Sequence, residues 1–192
     1  LVGSEMCIRD SFDGDLCDHV LERSGSALLL EDLAARELFM LPVAEQPGCY
    51  RYHALLHDFL AKRLSLHKPL EVPRLHGRAA LVFRQRGELE PALQHAQRCG
   101  EPALFQALLE EACDLWVRTG HFAEVLKWLE PLSEVQLRES PRLLVPMILA
   151  LTLSRRFHQA RYCLDELATH SAGQEGLCLL YTSPSPRDKR QS

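Results

Sequence analysis

"LFMLPVAEQPGCYRYHALLHDFLAKRL", residues 38–64, changes its hydrophobic period twice in one short stretch. The apolar run "LFMLPV" (38–43) reads as a strand, "AEQPGC" as a turn through Pro47 and Gly48, and "YRYH" (50–53) as the returning strand. "ALLHDFLAKRL" then places Leu55, Leu56, Phe59, Leu60 and Leu64 on one face of a helix. Upstream, "LCDHVL" (16–21) predicts a short helix. "SGS" (24–26) supplies a break and an N-cap, and "ALLLEDLAARE" (27–37) is strongly helix-forming. Helices closed by a small β-hairpin predict a winged-helix module over residues 11–68.

Beyond a break marked by Pro69 and Pro73, the pattern is helical to about His170. Three segments resemble one another: "GELEPALQHA" from Gly87, "GHFAEVLKWL" from Gly120 and "RRFHQARYCL" from Arg155. A turn position recurs at Gly87, Gly120 and Arg155, and a small apolar position at Ala92, Val125 and Ala160, in steps of 33 and 35 residues. These steps bracket the 34 of tetratricopeptide-type helical hairpins, so residues 69–177 are expected to form stacked, TPR-like α-helical hairpin repeats. The fold class predicted is mainly α, a winged-helix-like module followed by such repeats. Trp116 and Trp128 fall on helical faces, where they read as packing anchors.

The two ends do not fit this scheme. With suitable codons, residues 1–10 and 178–187 are encoded by reverse complements of one another in a shifted frame, as a translated sequencing adaptor would be. Residues 1–10 and 178–192 are therefore expected to lie outside the fold. Setting them aside removes four basic and three acidic residues from a chain of net charge −4, leaving a mildly acidic core. That balance argues against a grip on a phosphate backbone.

With 46% hydrophobic residues the chain can bury a core, and no apolar run is long enough to span a bilayer. Cys17, Cys49, Cys99, Cys113 and Cys163 form neither a C-x-x-C pair nor a disulfide framework, which suits a reducing cytoplasm and buried thiols.

Few motifs carry chemistry. "HALLH" sets His53 and His57 one helical turn apart, but Ala54 stands where a zinc protease helix needs glutamate, and no third ligand is visible. None of the ten glycines is followed by lysine, so a phosphate loop is missing, and "ALLLED" (27–32) reads as helix rather than as a magnesium-binding strand. The residues present are not expected to form an enzyme. On the helix after the hairpin, only Lys62 and Arg63 offer contacts to DNA.

Residues 35–64 together with "LHGRAALVFRQRGELEPALQHAQRCGE" resemble the large ATP-dependent LuxR-type transcriptional regulators of the MalT-like group, in the STAND class of signalling ATPases. The resemblance implies an internal piece of a longer protein. In that family a nucleotide-binding domain precedes the winged helix, a TPR-like sensor follows it, and a C-terminal helix-turn-helix binds DNA. It implies ATP/ADP in the full-length parent, a slow signalling ATPase, with none held by this segment alone. It also implies a small-molecule or protein effector on the helical repeats, DNA bound only through the helix-turn-helix, no membrane, and a parent that oligomerises when active. "YHALLHD" resembles the "MHDLLHD" motif of related STAND proteins, which implies an ADP β-phosphate contact for His53. Tyr52 and Ala54 depart from that motif, and His53 as a plain helix cap stays open beside it. A helical-repeat scaffold for a protein partner is the alternative reading.

Overall fold

The computed structural model describes residues 11–171 except 37, 38 and 45. Both ends assigned to an adaptor, and residues 172–177, lie outside the described residues. The chain divides into two compact units, one ending at Leu108 and one beginning at Leu109. No helix among the described residues is long and apolar enough to cross a membrane.

In the first unit β1 (Phe12–Asp13) leads directly into α1 (Gly14–Leu21), followed by α2 (Ser26–Ala35), β2 (Met40–Pro42), β3 (Cys49–Tyr52) and α3 (Ala54–His67). The expected hairpin is present, and β1 adds to it, giving an antiparallel sheet of order β1-β3-β2. Phe12 faces Tyr50 across one ladder, and Met40 faces Tyr52 across the other. Two residues are too few to carry a period-2 signal, so β1 had no signature in the sequence. The β1 residue Asp13 also starts α1, its carboxylate accepting the Leu16 N–H at 2.7 Å.

The start of α2 differs from expectation in its chemistry. Gly25 is the N-cap and supplies no side chain. Asp18 on α1 reaches over instead, accepting the N–H groups of Gly25 at 3.1 Å and Ser26 at 2.9 Å. Two free donors of α2 are thus satisfied from the preceding helix. Leu16, Leu30 and Met40 form the small core of this module.

The apolar residues expected on one face of α3 are instead spread around much of the helix, and no α3 residue is buried. Leu55 is 77% and Phe59 56% exposed, because within the first unit the described residues do not cover them.

α4 (Glu71–Gln85) and α5 (Leu89–Cys99) form a tight antiparallel pair, and α1 packs on α4. A Cβ at Gly77 would meet the Cys99 sulfur at 3.0 Å, so a glycine there lets the two helices close up. Ala79, Ala80 and Phe83 on α4 and Ala92, Leu93 and Ala96 on α5 are buried.

α6 (Pro102–Thr119) contains the division between the units. In the second unit α7 (Phe122–Leu129) and α10 (Phe157–Ser171) both pack on α9 (Pro141–Leu153). The short α8 (Glu134–Glu139) starts with a capping box between Ser133 and Gln136. Leu109, Cys113, Val125, Leu129, Leu143 and Leu151 are fully buried there.

The three turn positions read from the sequence share one backbone geometry. Gly87, Gly120 and Arg155 all adopt positive φ, at 76°, 80° and 59°. Each makes the same pair of hydrogen bonds. Gly87 N–H donates to Arg84 C=O and Glu88 N–H to Phe83 C=O; Gly120 and His121 do so to Val117 and Trp116; Arg155 and Arg156 do so to Thr152 and Leu151. This is the Schellman ending, which satisfies the last carbonyls of one helix and turns the chain back into the next. Five residues on, Ala92, Val125 and Ala160 are buried, as the repeated small apolar position requires.

Candidate functional site

His53 sits at the junction expected of it. Its N–H donates to the Phe39 carbonyl at 2.8 Å, extending the β2–β3 ladder, and its φ of −59° and ψ of 137° end the strand. The next residues turn into α3, with Leu56 and His57 N–H donating to the His53 carbonyl at 2.9 and 3.0 Å. The His53 ring stands edge-on to Phe39 and its Nδ1 accepts the Leu55 N–H at 3.4 Å. His53 is therefore the N-cap of α3, with an exposed ring. Accepting at Nδ1 selects the tautomer protonated at Nε2, which leaves one donor at a helix end that favours anions.

His57 Nδ1 lies 3.1 Å from the Asp58 carboxylate. Among the described residues no group of three or more His, Cys, Asp or Glu is arranged to hold a metal ion. The five described cysteines are free thiols. Burial pushes Cys113 up to about 12, and Trp116 is buried as a packing residue.

A second cluster had not been expected. Arg86, at the end of α4, forms a fork onto Asp13 at 2.8 and 2.9 Å and reaches Asp15 at 2.7 Å. Burial raises the Asp13 carboxyl, but hydrogen bonds from Arg86 and the Leu16 N–H, with the Arg86 charge, outweigh it and hold the group below its ordinary value. Arg78 adds a hydrogen bond to the Val20 carbonyl at 3.1 Å and an ion pair with Glu22 at 2.7 Å. Together these fasten β1 and α1 to α4.

Above this attachment lies a cleft of about 320 Å³ between the winged-helix module and the α4–α5 pair. Phe12, Leu16, Val20, Tyr52, Ala79 and Phe83 line it with apolar surface, and His76, His95 and Arg98 bring polar atoms to it. The two histidines touch through their Nδ1 atoms at 2.8 Å, and His95 stacks on Phe83 with ring centres 5.3 Å apart. Burial, then the neighbouring His76 and the Arg98 charge, push His95 down to about 4; burial and Arg98 lower His76 as well. The pair is neutral at pH 7. One ring must donate at Nδ1 and the other accept, so one Nε2 carries a proton and the other a lone pair.

Residues 4–72 match the MalT winged helix domain. The serine/threonine-protein kinase PknK of Mycobacterium tuberculosis is 32% identical over 98 residues, covering 51% of this chain and 9% of that protein. The HTH-type transcriptional regulator MalT of Vibrio parahaemolyticus is 23% identical over 162 residues, 84% of this chain and 18% of that protein. MalT of Vibrio cholerae is 25% identical over 136 residues, 71% of this chain and 15% of that protein. The chain thus spans less than a fifth of the length of these curated relatives. No solved structure matches it. Residues 4–72, which include the whole sheet and α1 to α3, are thus similar to the MalT winged helix domain, and most of the chain is similar to a stretch of MalT transcriptional regulators, which makes it MalT-like.

Proposed function

We propose that this chain is the winged-helix and helical-hairpin part of an ATP-dependent transcriptional activator of LuxR type, linking nucleotide state to effector sensing. The match of residues 4–72 to the MalT winged helix domain carries this reading. The position of His53 supports the nucleotide part of it. An Nε2–H donor at the head of α3 suits a contact to the β-phosphate of ADP held by a preceding nucleotide-binding domain. The uncovered Leu55 and Phe59 of α3 give a surface that such a domain would bury. In this reading the chain is not itself an enzyme, and the parent is a slow signalling ATPase of the STAND class. The TPR-like hairpins take a small-molecule or protein effector. DNA is bound by a helix-turn-helix elsewhere in the parent, which acts in the cytoplasm and oligomerises when active.

The test is His53→Ala in the complete regulator. Loss of a contact made only in the resting state should weaken ADP retention about tenfold and raise transcription without effector. A folded variant with unchanged ADP affinity and unchanged basal transcription would leave His53 as a helix cap only.

A further inference from the structure

The α4–α5 pair breaks the packing rule that its own repeat sets. Counting from the turn residues Gly87, Gly120 and Arg155, the position eleven before holds His76, Leu109 and Leu144. The position eight after holds His95, Trp128 and Cys163. Leu109 and Leu144 are almost fully buried, and Cys163 is buried. Two imidazoles therefore replace apolar side chains at both equivalent positions of one hairpin, and there they touch.

Space follows the same difference. The cavity lined by Leu144 and Cys163 is about 20 Å³, little more than one water fills. Where His76 and His95 meet, it is about 320 Å³, within the range of small-ligand sites. Nothing in the hairpin fold demands either the histidines or the space. The charge is equally one-sided. Among the described residues no Asp or Glu lines this cleft, and none is paired with Arg98, which is exposed at the cleft's edge.

We propose that this cleft binds a small organic anion, an aromatic or branched aliphatic body of about ten non-hydrogen atoms carrying a carboxylate. The body lies against Phe12, Leu16, Val20 and Phe83, and the carboxylate meets the Arg98 guanidinium and the Nε2–H of the histidine pair. The Nε2 lone pair of the other ring accepts from a hydroxyl or amide N–H where the ligand has one. This site does not depend on the nucleotide role of His53, because it uses none of the same atoms.

The experiment is calorimetric titration of the full 192-residue chain with 3-phenylpropionate, with 4-methylpentanoate and with the amide of each. The acids should saturate with a Kd of about 1 mM or below, and the amides should bind at least tenfold more weakly. Arg98→Gln, an exposed change that leaves thermal unfolding unaltered, should bring acid affinity down to that of the amide. The ring resonances of His76 and His95 should shift on adding acid and not on adding amide. Absence of saturable binding by both acids, equal affinity for acid and amide, or full acid affinity in Arg98→Gln would each overturn the proposal.

Discussion

The α4–α5 hairpin and the α9–α10 hairpin share one turn and differ in what they place around it. Both end their first helix in a Schellman motif, and both bury a small residue, Ala92 or Ala160, five positions beyond the turn. Phe83 and Leu151, four positions before it, are buried alike. The differences are concentrated. One hairpin has glycine at the positive-φ position and a histidine pair in its apolar layer; the other has Arg155 at the turn, with Leu144 and Cys163 lining one small cavity. The shared positions are what a hairpin needs to close. Those that differ are left for local strain or for a ligand.

The sharpest way to break this comparison is to move the histidine to the other hairpin. Leu144→His would remove a leucine that is 2% exposed and bury an imidazole beside Cys163, with no second ring to take its proton. Loss of apolar burial together with an unsatisfied polar group should cost about 3 kcal/mol. Both tryptophans, Trp116 and Trp128, belong to the second unit, so fluorescence during denaturant unfolding reads this loss directly. The reverse exchange, His76→Leu with His95→Cys, should cost less than about 1 kcal/mol at pH 7, because it installs the residues the other hairpin already uses. If the two exchanges proved equally damaging, the histidine pair would be as structural as the residues it replaces.

The contrast also explains what could be read from the sequence. The turn positions were legible because positive φ is written in glycine at two of three sites, and the buried small residues because they keep a fixed distance from the turn. The β2–β3 hairpin and α3 were legible from the change of period across residues 38–64, and so was the place of His53 at their junction. The Asp18 cap of α2 was not, since it comes from another helix, and neither was β1, which has only two residues. The Arg86 fork onto Asp13 joins residues far apart in sequence, with no local pattern to announce it. The His76–His95 pair did leave a trace. Aligning the three repeats on their turns puts both histidines in columns that otherwise hold leucine, tryptophan and cysteine, and that alignment, carried beyond the turn itself, points to them.

A smaller effect distinguishes the two hairpins by pH. In the unfolded chain His95 titrates near 6.5; in the fold, burial, His76 and Arg98 hold it down to about 4. Between those values the unfolded chain binds a proton that the folded chain refuses, so stability is full above about pH 6.5 and is lost as pH falls toward 4. His76 is lowered in the same direction and adds to the slope. Asp13 and Asp18 lie below their usual 3.8 and act only at more acid pH. The first unit should lose about 2 kcal/mol between pH 7 and 4.5, partial solvent access keeping the loss below the full shift. A denaturant titration followed at the α4 and α5 amides by NMR measures it. The His76→Leu, His95→Cys variant should show a flat profile over the same interval, and a slope as steep as that of the parent chain would assign the titration to other groups.

The smallest expected effect lies in the turn itself. Gly87 and Gly120 reach positive φ at little steric cost, whereas Arg155 at 59° holds its Cβ against the following carbonyl. Its long side chain does not repay this strain through the turn hydrogen bonds, which are all made by backbone atoms. Arg155→Gly should therefore stabilise the second unit by about 1 kcal/mol, less the backbone entropy that glycine brings to the unfolded state. Gly87→Ala should destabilise the first unit by a similar amount. No atom lies within 4 Å of the added Cβ, so the cost there is conformational and not a clash. Opposite signs at these two sites would show one turn geometry imposed on both hairpins, with the chain accepting strain in the second to keep it. A destabilising Arg155→Gly would instead mean that the arginine side chain holds the α9–α10 turn by contacts that outweigh its strained backbone.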